Sequence, residues 1–283
     1  MGRGLRALHN LQLIDLSVPI SPSTAEPGPP QIEYVDHHQA ATELATITTR
    51  LLRDSLPASE RSQAVITEDA FQSGLGLANE NLHLDTHAGT HMDAPWHFGP
   101  LCENLPAKTI DQVPLDWCFG PGVVLDLRFK KAGELITSAD LALALERIGY
   151  ALQPRDIVLL MTGADKHFTK KDYFTAHAGM GREATLWLLD QGIKTIGIDS
   201  WGFDRPADVM LSDYWRTGDR ATLLPAHMVG REREYCHMEK MANFDKIPVP
   251  YGFWVSCFPI KVERASAGWI RAVALIEKED VCD

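Results

Sequence analysis

Several features that mark common classes of protein are missing from these 283 residues. The chain has no long uninterrupted apolar run, and its start, MGRGLRALHNLQLIDL, soon meets charges, so neither a membrane span nor a signal peptide is expected. Arg6 stands where a myristoylation signal needs Ser or Thr. The absence of a cluster of Lys and Arg and the formal net charge of -11 argue against a nucleic-acid-binding surface.

The sequence also lacks the usual motifs of cysteine-based sites and of serine hydrolases. The five cysteines contain no C-x-x-C pair, which argues against a thiolate zinc site or a redox centre and favours a reducing, cytoplasmic location. No G-x-S-x-G elbow is present, and Ser200 lies in D-S-W-G, so a serine hydrolase is disfavoured. The cysteines are Cys102, Cys118, Cys236, Cys257 and Cys282.

What the chain does contain is a pattern typical of an α/β fold. Apolar runs predict strands at LQLIDLSVPI, PGVVLDLRF, DIVLLMTG and KTIGID, and helices are predicted at 40–53 and in REATLWLLDQG. A capping box from Thr137 to Asp140 opens another helix, which Gly149 ends. GFWVSCFPIKVE and GWIRAVALIE, joined by RASA, predict an antiparallel hairpin. Without repeats or linkers, residues 1–283 are predicted to form one domain.

Three of the eleven histidines, with an aspartate, fall in the run HAGTHMDAPWH. Imidazole nitrogens and carboxylate oxygens are the usual ligands of zinc and also suit manganese, and a catalytic site needs about three protein ligands and an open position. His87, His91 and Asp93 supply such a set, with His97 close by. A polar loop with hydrogen-bonded histidines is the alternative, but metal binding explains the residue types and Gly89 together.

The local geometry of this run follows from its small and restricted residues. Gly89 and Pro95 disfavour a helix, so LHLDTH is predicted to be a strand that leads into a loop around an ion. By the period-two rule, His83 and Asp85 share a face with His87 and are expected to orient the ligands.

The run resembles the HxGTHxDxPxH signature of the cyclase family of metal-dependent hydrolases, which includes bacterial kynurenine formamidase and isatin hydrolase. The similarity continues through LIDLSVPI, GIDSWGFDRP, the stretch from His227 to Glu239, and FPIK before Gly268 and Arg271. It implies a single α/β domain with a mixed sheet, of the swivelling β/β/α (cyclase-like) architecture. It also implies assembly as a homodimer or homotetramer.

By the same resemblance, His87, His91 and Asp93 bind metal, His227 and Glu239 complete a two-metal site, and His97 is the catalytic acid or base. Alone, His227 would be read as a helix cap and Glu239 as a solvated charge. His237 is a nearby rival ligand that we leave out of the set. The expected cofactor is one or two divalent ions, zinc first and manganese as the alternative.

The expected reaction is cleavage of an amide, cyclic amide or lactone carbonyl of a small molecule by metal-bound hydroxide. Trp96, Phe98, Trp201 and Phe203 flank the motifs and suggest an aromatic substrate, although each also suits a core position. Compact kynurenine formamidases have a proline after the GIDS sequence, where this chain has Trp201. This chain is also longer than they are, with extra residues at about 21–81 and 210–224. The alternatives are a dienelactone-type hydrolase of aromatic degradation and a non-catalytic metal-binding protein of the same fold.

Overall fold

The computed structural model describes residues 10–24 and 26–278. The myristoylation site and the first part of the run considered as a signal peptide fall on residues 1–9, which lie outside the described ones, as does Cys282. No helix in the described ranges is both long and apolar enough to cross a membrane. Cys102, Cys118, Cys236 and Cys257 are buried and are not joined in disulfides.

The described residues contain fifteen strands and five α-helices. The strands are β1 (Leu11–Asp15), β2 (Gln31–Val35), β3 (Asn79–His83), β4 (His91–Asp93), β5 (Leu101–Cys102), β6 (Leu105–Pro106), β7 (Phe119–Asp126), β8 (Leu135–Ile136), β9 (Ile157–Met161), β10 (Gly179–Met180), β11 (Thr195–Ile198), β12 (Cys236–Glu239), β13 (Tyr251–Ser256), β14 (Ala267–Trp269) and β15 (Val273–Glu277). The helices are α1 (His37–Ser55), α2 (Pro95–Phe98), α3 (Ser138–Ile148), α4 (Arg182–Asp190) and α5 (Ala207–Thr217).

Contacts group the chain into two compact units. The first consists of Met1–Pro29 and Asp85–Asp283, and the second of Pro30–Leu84. In the second unit β2 pairs with β3 in antiparallel fashion, and Asp36 caps the start of α1 with a capping box. The predicted helix at 40–53 is therefore confirmed with longer bounds. The single domain over residues 1–283 stays a prediction.

The first unit is built on a nine-stranded mixed sheet in the order β1-β15-β13-β7-β9-β11-β12-β4-β14. The strands β7, β9, β11 and β12 are parallel to one another, and the other neighbours are antiparallel. All five residues of β9 are buried, as expected for a central strand covered on both faces. The prediction of an α/β fold with a mixed sheet is confirmed.

Helices α3 and α4 pack on one face of this sheet. Leu141 and Leu145 of α3 and Leu188 of α4 are buried in a cluster with Val158 and Leu160 of β9. The alternate residues of the same strand, such as Leu159, belong to a second buried cluster on the opposite face. The capping box at Thr137 and the left-handed Gly149, at φ +65°, bound α3 as predicted.

Two local predictions need correction. The antiparallel pairing predicted for the last two apolar runs is confirmed, because β13 and β15 are neighbours, but β14 lies between them in the chain, so they do not form a simple hairpin. The RASA turn is wrong, since Ala267 already belongs to β14, which pairs with β4. The predicted strand LHLDTH is also misplaced: β3 ends at His83, and the next strand begins only at His91.

Candidate metal centre

The centre lies where two short buried strands meet. β4 and β12 are antiparallel, with His91 opposite Glu239, Met92 opposite Met238 and Asp93 opposite His237. Because directly opposed residues point to the same face of a sheet, the four polar side chains converge on one face. The two methionines, both fully buried, join the apolar cluster on the other face.

The loop before β4 brings His87 to the same place. The Asp85 carboxylate accepts a hydrogen bond from the His87 backbone N–H at 2.8 Å. Gly89 takes a left-handed φ of +60°, and its carbonyl accepts from Nδ1 of His91 at 2.9 Å. Asp85 therefore contacts His87 through its backbone N–H and not through its ring. His83 lies in the second unit and is exposed.

His227 arrives from the short helical turn His227–Arg231 and is held by a buried carboxylate. Asp204 accepts a short hydrogen bond from His227 Nδ1 and further bonds from the backbone N–H groups of Ala226, at 2.7 Å, and His227, at 3.2 Å. The other ring nitrogen, Nε2, therefore faces Glu239 Oε1 at 3.6 Å and Asp93 Oδ2 at 3.9 Å. A carboxylate behind an imidazole is the usual support of a metal ligand.

His97 lies in α2, which starts with Pro95 at its first position. Its side chain is 32% exposed and is therefore open to the adjoining cavity, and Nε2 lies 3.9 Å from Asp93 Oδ2. The ring centroid is 4.3 Å from that of His87. Burial is the main cause that lowers the pKa of His97 to about 4, so the ring is neutral at neutral pH.

The two central carboxylates are ionised although they are buried. Burial raises the pKa of Asp93, but the neighbouring His91, His237 and His87 hold it well below its usual range. Burial likewise opposes ionisation of Glu239, whose interaction with His237 brings its pKa to about 2. Glu239 Oε1 also accepts from the Phe203 N–H at 2.7 Å.

Four buried polar atoms at this centre have no hydrogen-bond partner among the described residues: His91 Nε2, both carboxylate oxygens of Asp93, and His237 Nε2. They are not far apart, because His91 Nε2 is 3.4 Å and His237 Nε2 is 2.8 Å from an Asp93 oxygen. Buried polar atoms that face one another without a bond between them leave a place for a cation. The residue types and their geometry fit a divalent metal ion.

The possible ligand atoms form two sets, and within each set all the atoms lie within 4.8 Å of one another. The first consists of Asp93, His227, His237 and Glu239, and the second of His87, Asp93 and His97. Asp93 is common to both, and His91 belongs to neither, although its Nε2 is 3.6 Å from Glu239 Oε2. The structure thus brings together all six residues singled out in the sequence.

His237 belongs to the centre, although it is not among the ligands predicted from the sequence. Its pKa is lowered by burial but raised more by Asp93 and Glu239, to about 9 in the absence of an ion. A signal was present, because His237 and Glu239 are two residues apart and share a face in any strand. The segment is a strand, β12, so this spacing places both side chains on one face.

A cavity of about 510 Å³ opens from this centre, which is a size suited to a small molecule. Trp201, Met210 and Leu224 line it, together with Lys240 and Glu26, whose side chains form an ion pair at 2.8 Å. Among the other aromatic residues proposed for a substrate, Phe203 belongs to the lining but is buried with its ring stacked on His237. Phe98 is buried, and neither it nor Trp96 is part of the lining. The Ser200 hydroxyl donates to the Gly202 carbonyl.

Fold and site together define a metal-dependent hydrolase. The family model described as "Putative cyclase" matches residues 14–205. The chain therefore belongs to the cyclase family, as its HxGTHxDxPxH run predicted.

Named relatives agree with this assignment. The chain is 30% identical over 192 residues to a kynurenine formamidase of Paracidovorax citrulli, a match that covers 68% of this chain and 77% of the relative. It is 27% identical over 204 residues to an isatin hydrolase of Roseibium aggregatum, covering 69% and 73%.

Solved structures share the fold. An isatin hydrolase bound to the product analogue thioisatinate superimposes with a TM-score of 0.71 at 21% identity, over 97% of this chain and 96% of the other. Isatin hydrolase A from Ralstonia solanacearum gives 0.70 at 22% identity, over 97% and 95%. The predicted cyclase-like architecture is confirmed.

Proposed function

We propose that this protein hydrolyses an amide, cyclic amide or lactone carbonyl of a small substrate. His87, His91, Asp93, His227 and Glu239 would hold one or two divalent ions, and His97 would carry the proton. The observation that supports this most directly is the group of unbonded, buried nitrogen and oxygen atoms at the end of an open cavity. A bound divalent ion lowers the pKa of water from about 16 to about 7 and polarises a carbonyl.

His97 is the group best placed to move a proton. It is more exposed than His91 or His237 and lines the cavity beside His87 and His227. A neutral imidazole there accepts a proton from the attacking water and then donates it to the leaving nitrogen or oxygen. Asp93 stays ionised in the buried centre and would neutralise the positive charge that His97 acquires.

The lining of the cavity supports a planar or aromatic substrate. The indole of Trp201 and the apolar side chains of Met210 and Leu224 offer surfaces on which a ring can pack. The names of the relatives point to isatin and to a formamide of kynurenine as the first compounds to assay. Simple lactones complete the panel, because they test the dienelactone-type alternative.

The test is His97→Ala, assayed for turnover and for metal content. Turnover should fall by about 10²- to 10⁴-fold, the usual contribution of a positioned acid or base, while the bound ions remain. His177→Gln is the control for ion content, because His177 is buried in the same lining but bonds to the carbonyls of Phe174 and Ala178. Loss of metal in His97→Ala would show instead that His97 is a ligand, and full turnover would refute its catalytic role.

The same donors favour zinc as the ion and leave manganese as the alternative. Imidazole and carboxylate ligands suit zinc and manganese, with zinc favoured by the number of nitrogen donors. Elemental analysis of protein purified without added metal, with anomalous scattering at the zinc and manganese edges, would distinguish them. Manganese alone would overturn the preference for zinc.

Assembly into a homodimer or homotetramer is part of this proposal, as is a cytoplasmic location. The exposed rings of Phe119, Trp254 and Phe258 form a row, with centroids 5.2 and 6.4 Å apart. Exposed apolar patches of this kind often mark protein contacts, which supports self-association. Light scattering coupled to gel filtration measures the mass, and a monomer at micromolar concentration would contradict the proposal.

A further inference from the structure

His237 lies at the centre of the candidate site and has no part in the proposed function. Its side chain is completely buried in β12. The ring stacks on Phe203, with centroids 4.3 Å apart and planes at 17°, and packs edge-on to His227 at 4.6 Å. These contacts hold the plane of the imidazole, and the partners of its two nitrogens then indicate the orientation and tautomer of the ring.

The neighbours of Nδ1 determine where the proton of the neutral ring lies. The Tyr235 hydroxyl donates to the Ala226 carbonyl at 3.0 Å, so its oxygen is free to accept from His237 Nδ1–H at 3.3 Å. Nε2 then carries the lone pair. It faces Asp93 Oδ2 at 2.8 Å and Glu239 Oε1 at 3.3 Å.

Three electron-rich atoms cannot meet in a dry interior unless a cation lies between them. In the ion-free protein a proton on Nε2 supplies this positive charge, in agreement with the raised pKa of His237, but Nε2 lacks the geometry of a hydrogen bond to either carboxylate at these short distances. A metal ion that all three atoms approach at once requires no such alignment.

Two other histidines of the centre have the same arrangement. His91 gives its Nδ1–H to the Gly89 carbonyl and His227 gives its Nδ1–H to Asp204, so each presents Nε2 to the carboxylates. An outer acceptor that fixes the tautomer of the ring is typical of metal-bound histidine. His237, with Tyr235 as its acceptor, follows the pattern.

The spacing of the donor atoms also agrees with a four-coordinate ion. A tetrahedral zinc ion with bonds of about 2.0–2.1 Å has its ligand atoms about 3.3 Å apart. In the set formed by Asp93, His227, His237 and Glu239, the four separations between an imidazole nitrogen and a carboxylate oxygen are 2.8, 3.3, 3.6 and 3.9 Å. They spread around the expected value.

We propose that His237 is the fourth protein ligand of an ion shared with Asp93, His227 and Glu239. This ion site is closed, whereas the site proposed for His87, His91 and Asp93 would have three protein ligands and an open position. Closed four-ligand sites are typical of structural ions and three-ligand sites of catalytic ones. The closed site should therefore retain its ion more tightly. The inference rests on the proposed function only in assuming that the centre binds divalent ions.

The experiment is a titration of the ion-free protein with Zn²⁺ against a chromophoric chelator. The intact protein should bind two ions with clearly different affinities. His237→Ala should weaken the tighter one by more than the roughly 10- to 100-fold that accompanies loss of an outer-shell partner. His177→Gln, a buried histidine outside the centre, should leave both affinities unchanged. Unfolding curves of each variant establish that it is folded.

Unchanged tight binding in His237→Ala would overturn the inference while leaving the proposed function intact. Failure of the intact protein to bind any ion would refute both. X-ray absorption or anomalous diffraction on the intact protein provides a second measurement, independent of how the variants fold. His237 Nε2 should lie about 2.0–2.2 Å from the ion, and a distance beyond 3 Å would exclude it as a ligand.

Discussion

Gly179 supports the centre without touching it, and Gly179→Ala is a sharp test of that support. The residue lies in β10 directly against the peptide between Asp204 and Arg205. A Cβ atom added there would come within 2.1 Å of the Asp204 carbonyl carbon and 2.2 Å of the Arg205 nitrogen. Non-bonded carbon atoms rest at about 3.5–4.0 Å, so one of the two segments must move by more than about 1 Å.

The residue that the added methyl group would displace is Asp204, whose carboxylate holds His227. Asp204 accepts from Ala226 N, His227 N and His227 Nδ1, and these bonds tolerate little movement. Loss of such an outer-shell partner lowers metal affinity by about 10- to 100-fold. Overpacking of this kind costs about 1–3 kcal/mol of stability. In a chain of this size that corresponds to a melting temperature lower by roughly 2–12 °C.

Calorimetry of the ion-free protein and chelator competition with Zn²⁺ measure the two effects separately. Gly202→Ala is the matched control, because it lies in the same segment and its added Cβ meets nothing within 4 Å. It should change stability by less than about 0.5 kcal/mol. Should Gly179→Ala melt earlier yet bind zinc normally, the link from Asp204 to His227 would be wrong, and unchanged melting would refute the packing argument itself.

Two further predictions concern stability. Removing bound ions with a chelator should lower the melting temperature of the intact protein, since a ligand at 100 times its Kd adds about 2.7 kcal/mol to the free energy of unfolding. Recovery on adding Zn²⁺ is the control, and an unchanged melting temperature would contradict ion binding. Thr137→Ala should cost about 1 kcal/mol by urea unfolding because it removes the side-chain cap of α3, whereas Thr137→Ser keeps the cap, and equal stability of the two variants would contradict its importance.

Local sequence patterns predicted those elements whose signals are themselves local. Helix α3 is the clearest case, because its first and last turns are specified by the capping box and by a glycine that reaches φ +65°. The buried strand β9 is likewise apparent from its run of apolar residues. Neither depends on which distant segment lies next to it.

Elements defined by distant partners were harder to predict. LHLDTH has the alternation of a strand, yet only its first two residues belong to one, namely β3, which pairs with β2. The strand that carries ligands is three residues long and exists because β12 and β14 lie on either side of it. Ala267 in the predicted turn belongs to β14 for the same reason.

The residues of the metal centre show the same difference between local and distant signals. His87, His91, Asp93 and His97 are close in sequence, so their density alone indicates a site. Glu239 and His227 came only from the resemblance to the cyclase family, and His237 was left out.

The register of two strands explains why His237 belongs with the others. His91 and Asp93 are two residues apart, as are His237 and Glu239, and each pair shares a face of its strand. When the strands align with Asp93 opposite His237, all four side chains meet. A slip of one residue in β12 would bring Met238 to the ligand face and send both polar residues into the apolar cluster. Burial of the methionines and assembly of the metal centre therefore require the same register, and any ion that binds Asp93 and Glu239 lies beside His237.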